Sequence, residues 1–352
     1  STHLGYSRPA SGLSSLRGFR PQMSCSLKET VASRSRSPKR CAHAQVGQDQ
    51  AVSEVIPDRG TAFCSKGKTL GDACDILVAS ERTAALVGYT DDGKVCGVLT
   101  ENDFLTALVS GTPAKYSIYD WLHGEHARFP RSMMEALTVS PKASLAEAAA
   151  VLASESEKAS GSACHHVLLC DENHVPRLLS AMDVALAMMS ALKTQEKVTL
   201  TVKDAMKHRA DVATCTFGDT PMQAYQAMVK SKQNCALAVP GKKYHNHHGM
   251  ITGADALRTF SERLHGDETT VGQWLHGFTE AEHPTQKQRS IHADASLADA
   301  TKVMANHGMH HLAVLGLGAD SKEVVGILSS LDIVRRLSSH GLDAIQASHG
   351  GS

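Results

Sequence analysis

The chain has 352 residues, 42% of them hydrophobic and only 4% aromatic, with 36 basic residues against 36 acidic ones. That length allows two or three domains, whose cores must be built from Ala, Val, Leu, Ile and Met. A formal charge of zero excludes a global field favouring nucleic acid or an anionic membrane, and no apolar run approaches the roughly 20 residues of a spanning helix. Nine cysteines, with no C-x-x-C pair and no regular framework, fit reduced thiols better than a disulfide scaffold.

Residues 1–55 read as a tail. The first 50 hold ten Ser and six Arg but only Glu29 and Asp49 as acids, and no apolar period. This is the composition of a mitochondrial or chloroplast transit peptide, so organelle targeting is expected, with a cytoplasmic location otherwise. A plain disordered tail, or a basic linker or nuclear signal at Arg34-Ser-Arg-Ser-Pro-Lys-Arg40, fits the same residues.

The next stretch starts a helix at Thr69, with Leu70, Ala73, Cys74 and Leu77 on one face. An apolar run, Ala84-Ala-Leu-Val87, a turn at Asp91-Asp-Gly93 and the phrase Gly97-Val-Leu-Thr100-Glu-Asn-Asp103-Phe104 follow. The same series returns from Ser144, through His166-Val-Leu-Leu169 and Asp171-Glu-Asn173, to Arg177-Leu-Leu-Ser180-Ala-Met-Asp183-Val184. It returns from Thr220, with Pro221 at the favoured first helical position, through Ala236-Leu-Ala-Val239 and Pro240-Gly-Lys-Lys243, to Gly249-Met-Ile-Thr252-Gly-Ala-Asp255-Ala256. The last copy runs from Ser296, through His311-Leu-Ala-Val-Leu315 and a turn over 316–321, to Gly326-Ile-Leu-Ser329-Ser-Leu-Asp332-Ile333.

The aspartates at 103, 183, 255 and 332 are spaced by 80, 72 and 77 residues, so one folded unit is copied four times. Apolar runs of four or five residues bounded by turns read as buried strands, so each unit is helix, strand, turn, strand, helix, with a short leading strand. The chain's two tryptophans, Trp121 and Trp274, lie in matching Trp-Leu-His-Gly segments. A two-repeat block has therefore been duplicated, and the expected role of the tryptophans is to pack a linker on the core.

This unit resembles the CBS domain, named after cystathionine β-synthase, whose pairs form Bateman modules. The resemblance rests on the four octapeptides and on Val202-Lys-Asp-Ala-Met206, similar to a sequence often found before a family unit. It implies an α/β (α+β) fold of four β-α-β-β-α repeats at 60–117, 132–192, 200–263 and 285–341, arranged as two pseudo-two-fold modules, with a tail at 342–352. It also implies a non-enzymatic regulatory protein that binds AMP, ADP, ATP or S-adenosylmethionine in clefts between paired repeats. The ligand pairs carried over are Thr100/Asp103, Ser180/Asp183, Thr252/Asp255 and Ser329/Asp332. The hydroxyl and the helix start would meet phosphate, and the Asp would meet ribose. The copies ending at Asp103 and Asp332 keep the fullest pattern, whereas those at Asp183 and Asp255 have drifted. None has a basic residue before the Asp: the positions hold Asn102, Met182, Ala254 and Leu331. Self-association into a homodimer or larger homo-oligomer, and a partner enzyme such as a thioredoxin, are further implications.

Ser/Thr-x-x-Asp is also the pattern of a capping box, which satisfies a helix start with no ligand. The second expectation is accordingly a ligand-free structural or oligomerisation module. A third, an enzyme using His245-Asn-His247-His248 and His307-Gly-Met-His310-His311 as metal ligands, lacks a partner Cys or carboxylate at a recognised spacing. Neither a metal nor a redox role for Cys164 and Cys170 is expected.

Overall fold

The computed structural model describes residues 51–56, 60–89, 95–124, 137–158, 165–171, 174–192, 200–239, 249–262, 269–277, 289–318 and 321–349. The tail to residue 50, the turns at 91–93, 172–173 and 240–243, Cys164 and His245–His248 lie outside these residues.

The first helix of each repeat is capped. In repeat 1 the Thr69 hydroxyl accepts the Asp72 N–H at 3.2 Å, and the Asp72 carboxylate accepts the Thr69 N–H at 2.9 Å. This reciprocal box starts the Leu70–Ala79 helix, which buries Leu70, Ala73, Cys74 and Leu77, the face expected from the spacing. Thr220 and Gln223, with Pro221 following the cap, do the same for Pro221–Lys230. The corresponding helices of repeats 2 and 4 are Leu145–Lys158 and Leu297–Asn306.

The strands form one three-stranded motif four times. In repeat 1, β1 (Ala62–Ser65) lies parallel to β2 (Ala84–Gly88), which is antiparallel to β3 (Val95–Thr100). Repeat 2 repeats this with β4 (Thr138–Val139), β5 (His166–Asp171) and β6 (His174–Ser180). A short β7 (Lys207–His208) precedes repeat 3, which consists of β8 (Thr214–Thr216), β9 (Cys235–Val239) and β10 (Gly249–Thr252). Repeat 4 contains β11 (Ser290–His292), β12 (His311–Leu315) and β13 (Val324–Ser329), with β7 added antiparallel on β13. The α/β architecture is therefore four β-α-β-β-α units.

The repeats join through two kinds of face. Sheets pack within a module: Leu86 and Val98 of repeat 1 meet Leu168 of repeat 2. Likewise Leu237 and Met250 of repeat 3 meet Ala313 and Ile327 of repeat 4. Helices pack between modules. The Glu101–Ser110 helix lies against Gly253–Ser261, where Phe104 and Phe260 meet edge-on with centroids 5.4 Å apart. The Ser330–His349 helix packs on Leu145–Lys158 and Ala181–Leu192, so repeats 2 and 4 share one apolar core.

The segments before repeats 1 and 3 cross to the other member of their module. Val52–Val55 is a helix; the Val52 N–H donates to Ala143 O at 2.8 Å, and Val52 and Ile56 are buried in the core of repeat 2. Its counterpart is Val202, whose N–H donates to Ala295 O at 2.9 Å in repeat 4. Two expected boundaries are corrected here. Residues 51–55 belong to a core rather than to the tail, because Val52 removes its apolar surface from water there. Residues 200–206 dock on repeat 4 rather than opening repeat 3. At the other end, the segment expected as a tail from 342 continues the Ser330–His349 helix.

The leading Gly of the phrase also has a packing reason. A Cβ on Gly97 would collide with Cδ1 of Leu122, and one on Gly249 with Cδ1 of Leu275. Both leucines come from the Trp-Leu-His-Gly segments, which fold back onto the sheet edge of their own repeat. Repeat 2 has Arg177 instead, and its guanidinium reaches Ile56 O at 3.3 Å.

Candidate functional site

All four phrases form a strand-to-helix corner, as expected. The Thr100 N–H and hydroxyl both donate to Asp103 Oδ2, at 2.8 and 2.9 Å. The same pair of bonds joins Ser180 to Asp183 (3.0 and 2.7 Å), Thr252 to Asp255 (2.8 and 2.8 Å) and Ser329 to Asp332 (2.9 and 2.6 Å). The hydroxyl proton and one carboxylate oxygen are thus committed to each other in every copy. The next N–H is committed too: Glu101 donates to Thr83 O, Ala181 to His165 O, Gly253 to Asn234 O and Ser330 to His310 O, at 2.7–2.9 Å. The helix starts that were expected to face phosphate therefore spend these donors on their own repeat.

Around this shared corner the copies differ. Asp103 is 1% exposed, and its Oδ1 accepts the indole N–H of Trp121 at 3.1 Å. Asp255 and Asp332 are buried as well, with Arg335 3.9 Å from Asp332. Asp183 is half-buried and lies with Ser180 on the wall of a cavity of about 230 Å³. Thr61, Arg82 and Thr83 of repeat 1 form another wall, and Met304, Met309 and His310 of repeat 4 a third. Of the two copies that the sequence marks as drifted, the one at Asp183 borders this larger space.

A smaller cavity, about 30 Å³, lies where all four repeats converge and is lined by Asn102, His165, Lys207, Asn234, His311 and Asp332 among others. It has room for a water or two. Asn234 organises the surrounding polar groups. Its amide nitrogen lies 3.2 Å from both Glu101 Oε1 and His165 Nε2, and its amide oxygen lies 2.9 Å from His311 Nε2. In that arrangement His311 donates from Nε2, and His165 accepts at Nε2, which requires a neutral ring. Burial is the main cause in each case: it pushes His311 down to about 3 and His166 to about 4, with His310 adding to both. His165 and His310 are lowered too, chiefly by burial. Burial raises Glu101 to about 7, Asp255 adds to the rise, and the Asn234 bond opposes it. Sequence reading missed this hub because Glu101 and Asn234 are 133 residues apart and no periodicity links them. The signal it could have used was the pair of adjacent histidines, His165-His166 and His310-His311, at matching strand starts in repeats 2 and 4.

Among the described residues, no group of three or more His, Cys, Asp or Glu is placed to hold a metal, and no helix is long and apolar enough to cross a membrane. The six described cysteines are free thiols.

Comparison with known proteins agrees with this architecture. The CBS domain family model matches residues 52–110 and 282–339, which are repeat 1 with its preceding helix and repeat 4. These two stretches are CBS domains. Repeats 2 and 3 share the strand order and the capped corner of the two CBS domains that match directly. A solved structure from Methanocaldococcus jannaschii, described as a proposed archaeal homologue of g-AMPK, is similar to 81% of this chain over 99% of its own, at 15% identity and a TM-score of 0.56. The CBS domain protein PAE2072 from Pyrobaculum aerophilum, solved with AMP, aligns with 40% of this chain over 99% of its own (16% identity, TM-score 0.31). The CBS domain pair of MJ0100, solved with 5-methylthioadenosine and S-adenosyl-L-methionine, aligns with 41% over 99% (20% identity, TM-score 0.32). No curated protein matches.

Proposed function

We propose that this CBS-domain chain is a non-catalytic regulatory protein that binds an adenosine-type ligand in the cavity at Ser180–Asp183. The observation that carries this reading is the 230 Å³ space in front of the Ser180–Asp183 corner, where Asp103, Asp255 and Asp332 are buried and Asp332 borders the 30 Å³ cavity instead. Small-molecule sites are concave and mostly apolar, with a few convergent polar groups. Here Met182, Leu186, Met304 and Met309 offer an apolar wall for a base, while Thr61, Arg82 and Asp183 offer polar partners for a sugar. The cavity takes walls from both modules, so an occupant would favour the arrangement that holds repeat 4 against repeats 1 and 2, altering the surface offered to a partner. A thioredoxin-like partner enzyme and residence in a mitochondrion or chloroplast belong to the same proposal.

Isothermal titration with an adenosine panel tests it, using an Ala305→Phe variant that fills the cavity from the end of a helix. Binding that the variant abolishes supports the reading. Absence of binding at millimolar ligand would leave the ligand-free structural module in its place.

A further inference from the structure

Resting on the adenosine-site reading above, we propose that the Ser180–Asp183 cavity takes a nucleoside-type ligand bearing no phosphate and discriminates against nucleoside di- and triphosphates. Among the described residues, the titratable groups that line it are Glu81, Arg82, His166, Asp183 and His310. Both histidines are held neutral by burial, with His166 lowered to about 4. The described part of the wall therefore presents two carboxylates against one guanidinium. Phosphate sites use the opposite balance: clustered cations, free backbone N–H groups at a helix start, or both.

The helix start here does not compensate. The Ser180 N–H and hydroxyl donate to Asp183 Oδ2, the Ala181 N–H donates to His165 O, and the Asp183 N–H donates to Ser180 Oγ at 3.2 Å. An arriving phosphate would find these three N–H groups and the hydroxyl already committed and would sit beside Asp183. Lys207 and the exposed Lys232 line the separate 30 Å³ cavity and not this one. What the larger cavity offers instead is soft apolar surface. Met182, Met304 and Met309 present thioethers, which favour aromatic rings and adapt to irregular shapes. With an excess of negative charge at the rim, a sulfonium nucleoside is accepted as readily as a neutral one.

The experiment is isothermal titration of the full chain with methylthioadenosine, S-adenosylmethionine, AMP and ATP. The phosphate-free ligands are expected to bind at least about tenfold more tightly than AMP, with ATP weakest, a preference of roughly 1.4 kcal/mol or more. If AMP or ATP binds as tightly as the others, the discrimination is overturned while the adenosine reading stands. If none of the four binds, the adenosine reading falls and this inference with it. A charge-reversed variant, Glu81→Lys, gives a second arm. Glu81 is exposed with φ 53°, and its counterpart in repeat 3 is already a lysine, Lys232, with φ 56°, so the backbone accepts the change. The variant should raise the ratio of ATP affinity to methylthioadenosine affinity about tenfold over the parent. An unchanged ratio in the folded variant would overturn the electrostatic account.

Discussion

Glu101 of repeat 1 lies directly on Gly253 of repeat 3: a Cβ built on Gly253 would sit 2.8 Å from the carboxyl carbon of Glu101. These are equivalent positions, each the first residue of its phrase helix, so two helix starts meet head to head with a buried carboxyl between them. The contact explains why repeat 3 carries glycine immediately after Thr252.

Gly253→Ala forces that contact to open. Overpacking of a closed interface costs about 1–3 kcal/mol, and the expected result is a matching fall in urea-unfolding free energy. Pairing it with Glu101→Ala should recover part of the loss, because the two residues touch and their effects are not additive.

Glu101 makes stability fall as pH rises. Its folded value of about 7 exceeds the ordinary 4.5, so its contribution is fully present below 4.5 and is lost as pH climbs through 7. Glu101→Gln keeps an oxygen for Asn234 but cannot ionise. Between pH 5 and pH 8 the variant should gain on the order of 3 kcal/mol relative to the parent. Parallel stability curves for the two proteins would show that the carboxyl does not titrate in this range.

The histidines act in the opposite direction. His166 and His311 have folded values of about 4 and about 3 against 6.5, so the stability they contribute is present above 6.5 and is lost as pH falls below it. Each should cost about 2 kcal/mol by pH 5. With His165 and His310 lowered as well, the histidines outweigh Glu101, and the whole chain should lose stability on acidification from pH 7 to pH 5. His166→Gln should flatten the curve as followed by chemical denaturation.

Trp121→Phe tests what the tryptophan is for. The change removes the indole N–H that Asp103 Oδ1 accepts, leaving a buried carboxylate short of a donor, at a cost of about 1–3 kcal/mol. If Trp121 packs the linker, as its 1% exposure indicates, stability falls and the affinity for any adenosine ligand does not change.

Most of the fold was legible because its signals are local. Thr69, Ser144, Thr220 and Ser296 mark helix starts through capping chemistry, and each apolar run between turns became a strand. The crossing of Val52–Val55 onto repeat 2 was not legible, since four residues of apolar sequence do not say which core they enter. The candidate site was half legible. The corners at Asp103, Asp183, Asp255 and Asp332 form from the same residues, yet a Ser/Thr-x-x-Asp pattern reads alike whether its aspartate faces a cavity or an indole. What separates Asp183 from Asp103 is long-range packing: Trp121 fills the space beside one, while the helix end at Met304–Met309 of repeat 4 stands back from the other.

Each repeat has a sheet face and a helix face, and it uses both on other repeats of the same chain. Repeat 1 meets repeat 2, repeat 2 meets repeat 4, repeat 4 meets repeat 3 and repeat 3 meets repeat 1. The result is a closed circuit rather than an open stack, and its closure is unimolecular. Linked pieces meet at an effective concentration set by their tether, not by how much protein is present. The junction between the two modules, and the cavity that depends on it, should therefore persist on dilution. Its occupancy would report the ligand level alone, whatever the abundance of the protein.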